Sequence, residues 1–309
     1  MHVVFGTGAL GSALIEELVA RGESVRAVNR SGGGDLPEGV EIRAGDVRDQ
    51  SFAAEAAAGA TTVYFALNPP YHRWRDLFPG LQESVLEAAI AAGAKLIALE
   101  NLYMYGVPRT DALAETHPMA AETRKGRLRA EMHERLMRAH EAGQVRVAAA
   151  RPSDYFGPRT VASAGDYRVF GPAMAGKTAR VLGDPTVPHT YTYTADVGTA
   201  LAVLGTDDRA DGQVWHVPSP APITAAEFVS RIAAAAGTTA KTATVPKAML
   251  QMIGLFNKPA GELVEMLYEF EQPFRMDSSK FETAFGIAAT PLDDAIEATV
   301  AWYRDNPPK

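Results

Sequence analysis

Val3-Val4-Phe5-Gly6-Thr7-Gly8-Ala9-Leu10-Gly11 runs from an apolar strand through a G-x-G-x-x-G turn into a helical stretch, Ser12 to Arg21. Strand, glycine turn and helix in that order form the context that a dinucleotide pyrophosphate needs. Gly6 permits the tight turn, Gly8 lets backbone approach the phosphates, and Gly11 lets helix and strand pack closely. The helix N-terminus adds free N–H groups and a positive dipole end. Thr7, Ala9 and Leu10 complete the candidate cradle. An ordinary glycine-rich turn is the bland alternative, and the placement between strand and helix argues against it.

The same alternation continues outward from this turn. Ser24–Asn29 and Val40–Ala44 read as strands two and three, Gln50–Ala58 as a helix, and Thr61–Ala66 as a fully apolar fourth strand. Arg75–Ala92 and Arg124–Ala142 read as long helices closed by Gly93 and Gly143, with Lys95–Leu99 and Val145–Ala150 as strands five and six. Continuous apolar strands between helices predict a parallel sheet covered on both faces, that is, an α/β Rossmann-type doubly wound fold.

After Arg151 prolines and glycines become frequent. Thr224-Ala225-Ala226-Glu227 is a capping box that opens a helix over Ala225–Ala236. Pro246–Phe274 reads as helical, His189–Tyr193 alternates like a strand, and Pro291–Tyr303 reads as a closing amphipathic helix. The expected division is a nucleotide-binding domain over 1–158 and a smaller C-terminal substrate lobe over 159–309, partly integrated with the main sheet.

The chain has 309 residues, 47% hydrophobic, which supports a sizeable core, and a net charge of -7. With a pI near 5.6, that charge argues against a nucleic-acid or membrane-surface binder. There is no cysteine, so disulfides and thiolate metal sites are excluded, and the seven histidines show no H-E-x-x-H spacing. No metal is expected. Without a signal-like leader or an apolar stretch of bilayer length, the expectation is a soluble cytoplasmic protein. Its expected partner is a small-molecule substrate, with a homodimer as the oligomer to test.

The end of the second strand bears on cofactor choice. An NAD site usually places Asp or Glu there, on the ribose hydroxyls. Here the residues are Asn29-Arg30-Ser31. A guanidinium pairs bidentately with a 2′-phosphate and stacks on adenine, where an acid would repel it. NADP(H) is therefore expected over NAD(H), against the plainer reading of Arg30 as a solvated surface arginine. Asp46-Val47 falls where an adenine edge would lie, and Ala66-Leu67-Asn68 near the phosphates and nicotinamide ribose.

With these residues in place, the chain resembles the NAD-dependent epimerase/dehydratase family, the extended branch of the short-chain dehydrogenase/reductase superfamily. The resemblance rests on the glycine turn, Gly45-Asp46-Val47, Tyr103-Met104-Tyr105-Gly106, Ala150-Arg151-Pro152-Ser153-Asp154-Tyr155-Phe156-Gly157-Pro158, Thr192-Tyr193-Thr194-Ala195-Asp196-Val197-Gly198 and Asp277-Ser278-Ser279-Lys280. It implies an oxidoreductase-type enzyme. Two departures stand out. Where the family carries Ser or Thr before the Tyr-Gly pair, this chain has Asn101, an amide that orients a carbonyl but relays no proton as a hydroxyl does. The family's Tyr-x-x-x-Lys is missing, and no tyrosine occurs between Gly106 and Arg151. Aligning on Glu131 puts Arg127 at the lysine position, as a cofactor contact, and Thr123 at the tyrosine position; a slip of two favours Lys125 or Arg129. The resemblance also carries Pro152 over as a cofactor contact.

Three explanations follow. A relocated tyrosine, Tyr103 or Tyr105, serves as the acid with Lys125 nearby, as in superfamily reductases of activated C=C bonds. Alternatively hydride transfer needs little acid/base help. Or the protein binds NADP without turnover, like the superfamily's NADP-sensing regulators. Each residue has a plainer role: Tyr105 as packing, Lys125 and Arg127 as a solvated, charge-paired helix face, Asp154 as a turn cap, and the His72–Trp74 loop as an exposed loop instead of a lid. The leading expectation is an NADP(H)-dependent reductase of a small or medium organic carbonyl or conjugated alkene. Its pocket would gather Asn68, Asn101, Tyr103, Tyr105, Lys125 and Asp154. The alternatives are a non-catalytic NADP sensor and a nucleotide-sugar epimerase/dehydratase.

Overall fold

Six strands succeed one another as the apolar runs predict: β1 (His2–Phe5), β2 (Val25–Asn29), β3 (Glu41–Ala44), β4 (Thr62–Phe65), β5 (Lys95–Leu99) and β6 (Val147–Arg151). The computed structural model describes residues 1–161, 163–254, 256 and 261–307. The six strands pair in parallel with their neighbours, and Val214–His216 joins at the edge beside β6, giving the order (214–216)-β6-β5-β4-β1-β2-β3.

The helices between them are α1 (Ala9–Ala20), α2 (Gln50–Ala57), α3 (Trp74–Ala92) and α4 (Arg124–Glu141). Side chains alternate across the sheet with period two. Val3, Phe5, Val63, Phe65, Leu96 and Ala98 share one core with Ala53, Phe78, Val85, Met132 and Leu136 of α2, α3 and α4. Tyr64 faces the other way. A Cβ on Gly205 would lie 2.0 Å from its hydroxyl, and one on Gly198 would lie 2.6 Å from the Ala13 carbonyl oxygen. The helix Thr194–Thr206 therefore approaches β4 and α1 on the second face, where only glycine leaves room. The two faces are covered as a doubly wound sheet requires.

Two compact units divide the chain. One comprises Met1–Met104, Lys125–Arg151 and Val197–Trp215; the other comprises Tyr105–Arg124, Pro152–Asp196 and His216–Lys309. The change of composition after Arg151 coincides with the chain's passage into the second unit at Pro152, six residues before the expected boundary, and residues 197–215 come back to complete the sheet. Within the second unit, Asp154–Phe156 pairs in parallel with Tyr191–Tyr193, and Ala179–Leu182 with Thr242–Val245. Its core is aromatic, with Phe156, Phe170, Phe228 and Tyr303 buried together. The N-cap half of the predicted capping box is present: the Thr224 hydroxyl accepts from the Glu227 N–H at 3.1 Å, while the Glu227 carboxylate accepts from Arg231 at 2.6 Å. Of the stretch read as one helix over Pro246–Phe274, the described residues form a helix at Lys247–Gly254, a 3-10 turn at Val264–Met266 and a short helix at Tyr268–Glu271. Residues 255 and 257–260 lie outside the described residues.

Candidate functional site

The parallel sheet brings the carboxyl ends of its strands to one edge. The sheet order reverses beside β1, between β4 and β2, and that switch point is where open α/β sheets bind ligands. The glycine turn lies there. Gly6 has φ 109°, and a Cβ on it would meet the Ala66 carbonyl oxygen at 2.5 Å. On Gly11 a Cβ would meet the Gly6 carbonyl oxygen at 2.0 Å. Gly8 differs, since a Cβ there meets nothing within 4 Å. Gly6 and Gly11 are thus required by the protein's own backbone, whereas Gly8 opens onto free space.

The first turn of α1 fits an anion. Gly8 is its N-cap and supplies no side-chain acceptor, and no acidic residue lies in that turn. The leading N–H groups of Ala9, Leu10 and Gly11 have no preceding helical turn to donate to, so they suit phosphate oxygens. Gly8→Ala separates ligand space from fold space. We expect unfolding in urea to be unchanged and NADPH affinity, read by calorimetry, to fall by about 10- to 100-fold, the cost of a methyl intruding on a close contact.

Asn29, at the end of β2, serves the loop itself. Its side-chain N–H groups donate to the Thr7 hydroxyl at 3.0 Å and the Gly33 carbonyl at 2.9 Å. Its oxygen accepts from the Gly32 N–H at 2.7 Å and the Ser31 hydroxyl at 3.3 Å. Asn29 thereby ties the loop after β2 to the glycine turn. Arg30 is exposed, and no hydrogen bond or ion pair joins it to another described residue. Asp46 pairs with Arg48. Chiefly that hydrogen bond, with a smaller attraction from Arg30, draws its carboxyl down to about 2. Val47 is buried and Leu67 packs on the core. Asn68 accepts from the Trp74 indole N–H at 3.0 Å.

At the ends of β4 and β5 an aromatic corner forms. Trp74, the first residue of α3, is buried, so its indole is a fixed wall and not a lid; His72 is exposed. Tyr71 packs edge-on to Trp74 with ring centroids 5.0 Å apart. The Tyr71 hydroxyl donates to the Tyr103 hydroxyl at 3.4 Å. Lys125 Nζ lies over the Tyr71 ring, 4.4 Å from its centroid. Asn101 accepts from the Tyr103 backbone N–H at 3.3 Å, an Asx turn that sets the direction of the Tyr103 backbone.

On α4, Lys125 and Arg129 are buried one turn apart, whereas Arg127 is exposed. The inward positions are those of the alignment slipped by two, not those of the alignment on Glu131. Behind them lies a buried charge network. Glu100 accepts from Arg151 Nε at 2.8 Å and lies 3.0 Å from His133 Nδ1. Burial alone would raise the Glu100 carboxyl; the charges of His133, Arg151 and Arg129 outweigh it and hold the group well below the usual carboxylate range. Arg129 donates to the Leu99 carbonyl at 3.3 Å and sits over the Phe78 ring at 4.8 Å. Burial pulls its guanidinium down to about 10.

In the second unit, Tyr105 is buried with its hydroxyl 2.9 Å from His216 Nε2. His216 Nδ1 faces the Asp277 carbonyl at 2.8 Å, so Nδ1 carries the proton and Nε2 accepts from Tyr105. Pro152 is buried. Asp154 pairs with His189 at 3.0 Å, and the other ring nitrogen of His189 faces the Glu269 carbonyl at 3.1 Å. Burial first, and the Asp154 charge second, push the Glu269 carboxyl well above its ordinary value. Sequence reading missed Tyr71, Glu100 and His133. Only the aromatic after Pro69-Pro70 was a visible signal; the other two need the fold to bring α4 against β5.

A family model described as NAD(P)H-binding matches residues 6–147. Over 244 residues the chain is 27% identical to the bovine (Bos taurus) sterol-4-alpha-carboxylate 3-dehydrogenase, decarboxylating, covering 74% of this chain and 68% of that protein. Among solved structures, a double mutant of dTDP-glucose 4,6-dehydratase from Streptomyces venezuelae with NAD bound matches 99% of this chain and 97% of its own. The TM-score is 0.78 at 17% identity. The UDP-glucose 4-epimerase of Thermus thermophilus in complex with NAD matches 99% of this chain and 100% of its own, with a TM-score of 0.76 at 20% identity. These structural likenesses establish the doubly wound fold. No helix of the described residues is long and apolar enough to cross a membrane.

Proposed function

We propose that this chain is a member of the NAD-dependent epimerase/dehydratase family and an NADP(H)-dependent reductase of a small or medium organic carbonyl or conjugated alkene. When bound, the dinucleotide supplies a hydride at its nicotinamide. The first turn of α1 holds the pyrophosphate, and Arg30 holds the 2′-phosphate. The observation that carries the chemistry is the corner at the ends of β4 and β5, where the Tyr103 hydroxyl meets that of Tyr71 and the Lys125 ammonium lies over the Tyr71 ring. Tyr103 donates the proton that the reduced substrate requires. Asn101 orients the Tyr103 backbone, and Lys125 supplies the positive charge that favours release of a phenol proton. The dehydrogenase name of the bovine relative supports hydride transfer as the chemistry.

Arg30 tests the cofactor choice. Arg30→Ala is expected to weaken NADPH by about 10- to 100-fold, the size of a lost charge-assisted contact, with NADH changed by less than about threefold. Calorimetric titration of both nucleotides checks it, and equal losses would remove the 2′-phosphate role. A second reading, a non-catalytic NADP-binding regulator, is favoured by the absence of tyrosine between Gly106 and Arg151. Tight NADPH binding without NADPH oxidation across a panel of aldehydes, ketones and enones would favour it.

A further inference from the structure

We infer that Tyr71 is a positioning residue for Tyr103: its hydroxyl aims the Tyr103 hydroxyl and restores its proton, with Lys125 clamped on its ring. This rests on the reductase reading of the corner.

Trp74, Lys125 and Tyr103 hold the Tyr71 ring. Trp74 meets it edge-on at 5.0 Å, the Lys125 ammonium covers a face at 4.4 Å, and its hydroxyl reaches Tyr103 at 3.4 Å. Trp74 is itself pinned, donating its indole N–H to Asn68 at 3.0 Å and to the Pro69 carbonyl at 3.1 Å. Tyr71 follows Pro69-Pro70 on a 3-10 turn, so the backbone before it has little rotational freedom. Lys125 is buried. An ammonium held over an aromatic face is attracted by the ring quadrupole.

Reduction adds a hydride from the reduced cofactor and a proton from the Tyr103 O–H across the substrate double bond, leaving oxidised cofactor and a Tyr103 phenolate. The Tyr71 O–H gives its proton to that phenolate, and water reprotonates Tyr71. Donation from Tyr71 also fixes the Tyr103 oxygen, so the remaining Tyr103 O–H points away from Tyr71.

Tyr71→Phe keeps the ring, and with it the Lys125 contact, and removes only the hydroxyl. In protein labelled with 13C at the tyrosine Cζ, the Tyr103 resonance, assigned by its loss in Tyr103→Phe, is expected to move in Tyr71→Phe. The Tyr105 resonance is expected to stay in place. This readout needs neither cofactor nor turnover. With an aldehyde or enone of the panel, kcat is expected to fall about tenfold or more while KM and NADPH affinity hold, the low end of a proton-transfer contribution. Tyr71→Leu removes the ring as well. Lys125 is then expected to react several-fold faster with acetic anhydride, read by mass spectrometry, and in Tyr71→Phe it should not. An unmoved Tyr103 resonance would overturn the inference, and so would a moved resonance with kcat unchanged in an active enzyme. Absence of turnover in the unsubstituted protein would count against the reductase reading, and the resonance would then decide the hydroxyl pairing alone.

Discussion

Truncating Glu100 to alanine is expected to destabilise the protein by about 3–5 kcal/mol, the range for removing one partner from a buried ion pair. Glu100 and Arg151 are both almost fully buried, and His133 is nearly so. Without the carboxylate, Arg151 and His133 lose their acceptor in a place water does not reach, and Arg129 loses the nearest negative charge. The folded carboxyl sits below its unfolded value. Its contribution is therefore fully present above about pH 4, near the unfolded value, and drains away as acid lowers the pH toward the folded one. Urea unfolding at pH 7 and pH 3 checks both parts: the gap between the two proteins should be wide at pH 7 and narrower at pH 3. A loss below about 1 kcal/mol at pH 7, the size of a surface pair, would contradict the buried network.

Gly11→Ala is expected to abolish NADPH binding and to cost about 3 kcal/mol or more of stability, the upper end for overpacking. Its Cβ would lie 2.0 Å from the carbonyl oxygen and 2.9 Å from the carbonyl carbon of Gly6. Both are backbone atoms, and Gly6 has no slack of its own, since its positive φ and its approach to Ala66 fix it. Relief requires α1 to move off β1, and that movement takes the helix N-terminus away from the turn. Calorimetry and urea unfolding beside Gly8→Ala give the contrast: both losses at position 11, and the affinity loss alone at position 8. Normal binding by Gly11→Ala would remove the close helix–strand approach from the argument.

Most of the first unit was legible because its signals are local. Apolar runs in β1, β4, β5 and β6, a glycine turn and glycine-stopped helices fix those strands to within a residue or two. Gly6 and Gly11 could be assigned from the turn because their constraint is backbone geometry. The chemistry was less legible because it depends on which face of α4 turns inward. A run with cations at 124, 125, 127 and 129 offers several registers, and only packing buries Lys125 and Arg129 while leaving Arg127 exposed. Tyr105 reads as a candidate acid, since nothing local announces that His216, 111 residues later, lies 2.9 Å from its hydroxyl. Asn29 read as a missing acid, and its side chain turns out to be engaged by Thr7 and Gly33.

The strand Val214–His216 flanks β6, where the Ala149 N–H donates to the Gln213 carbonyl at 3.0 Å. On the ribosome, that flank stays bare until some sixty further residues have been synthesised. A nascent chain paused in that interval carries an unprotected ladder of amides and carbonyls beside a strand of Val, Ala and Arg, open to another copy. A gene cut after residue 158 would thus encode a sticky fragment in place of a minimal nucleotide binder.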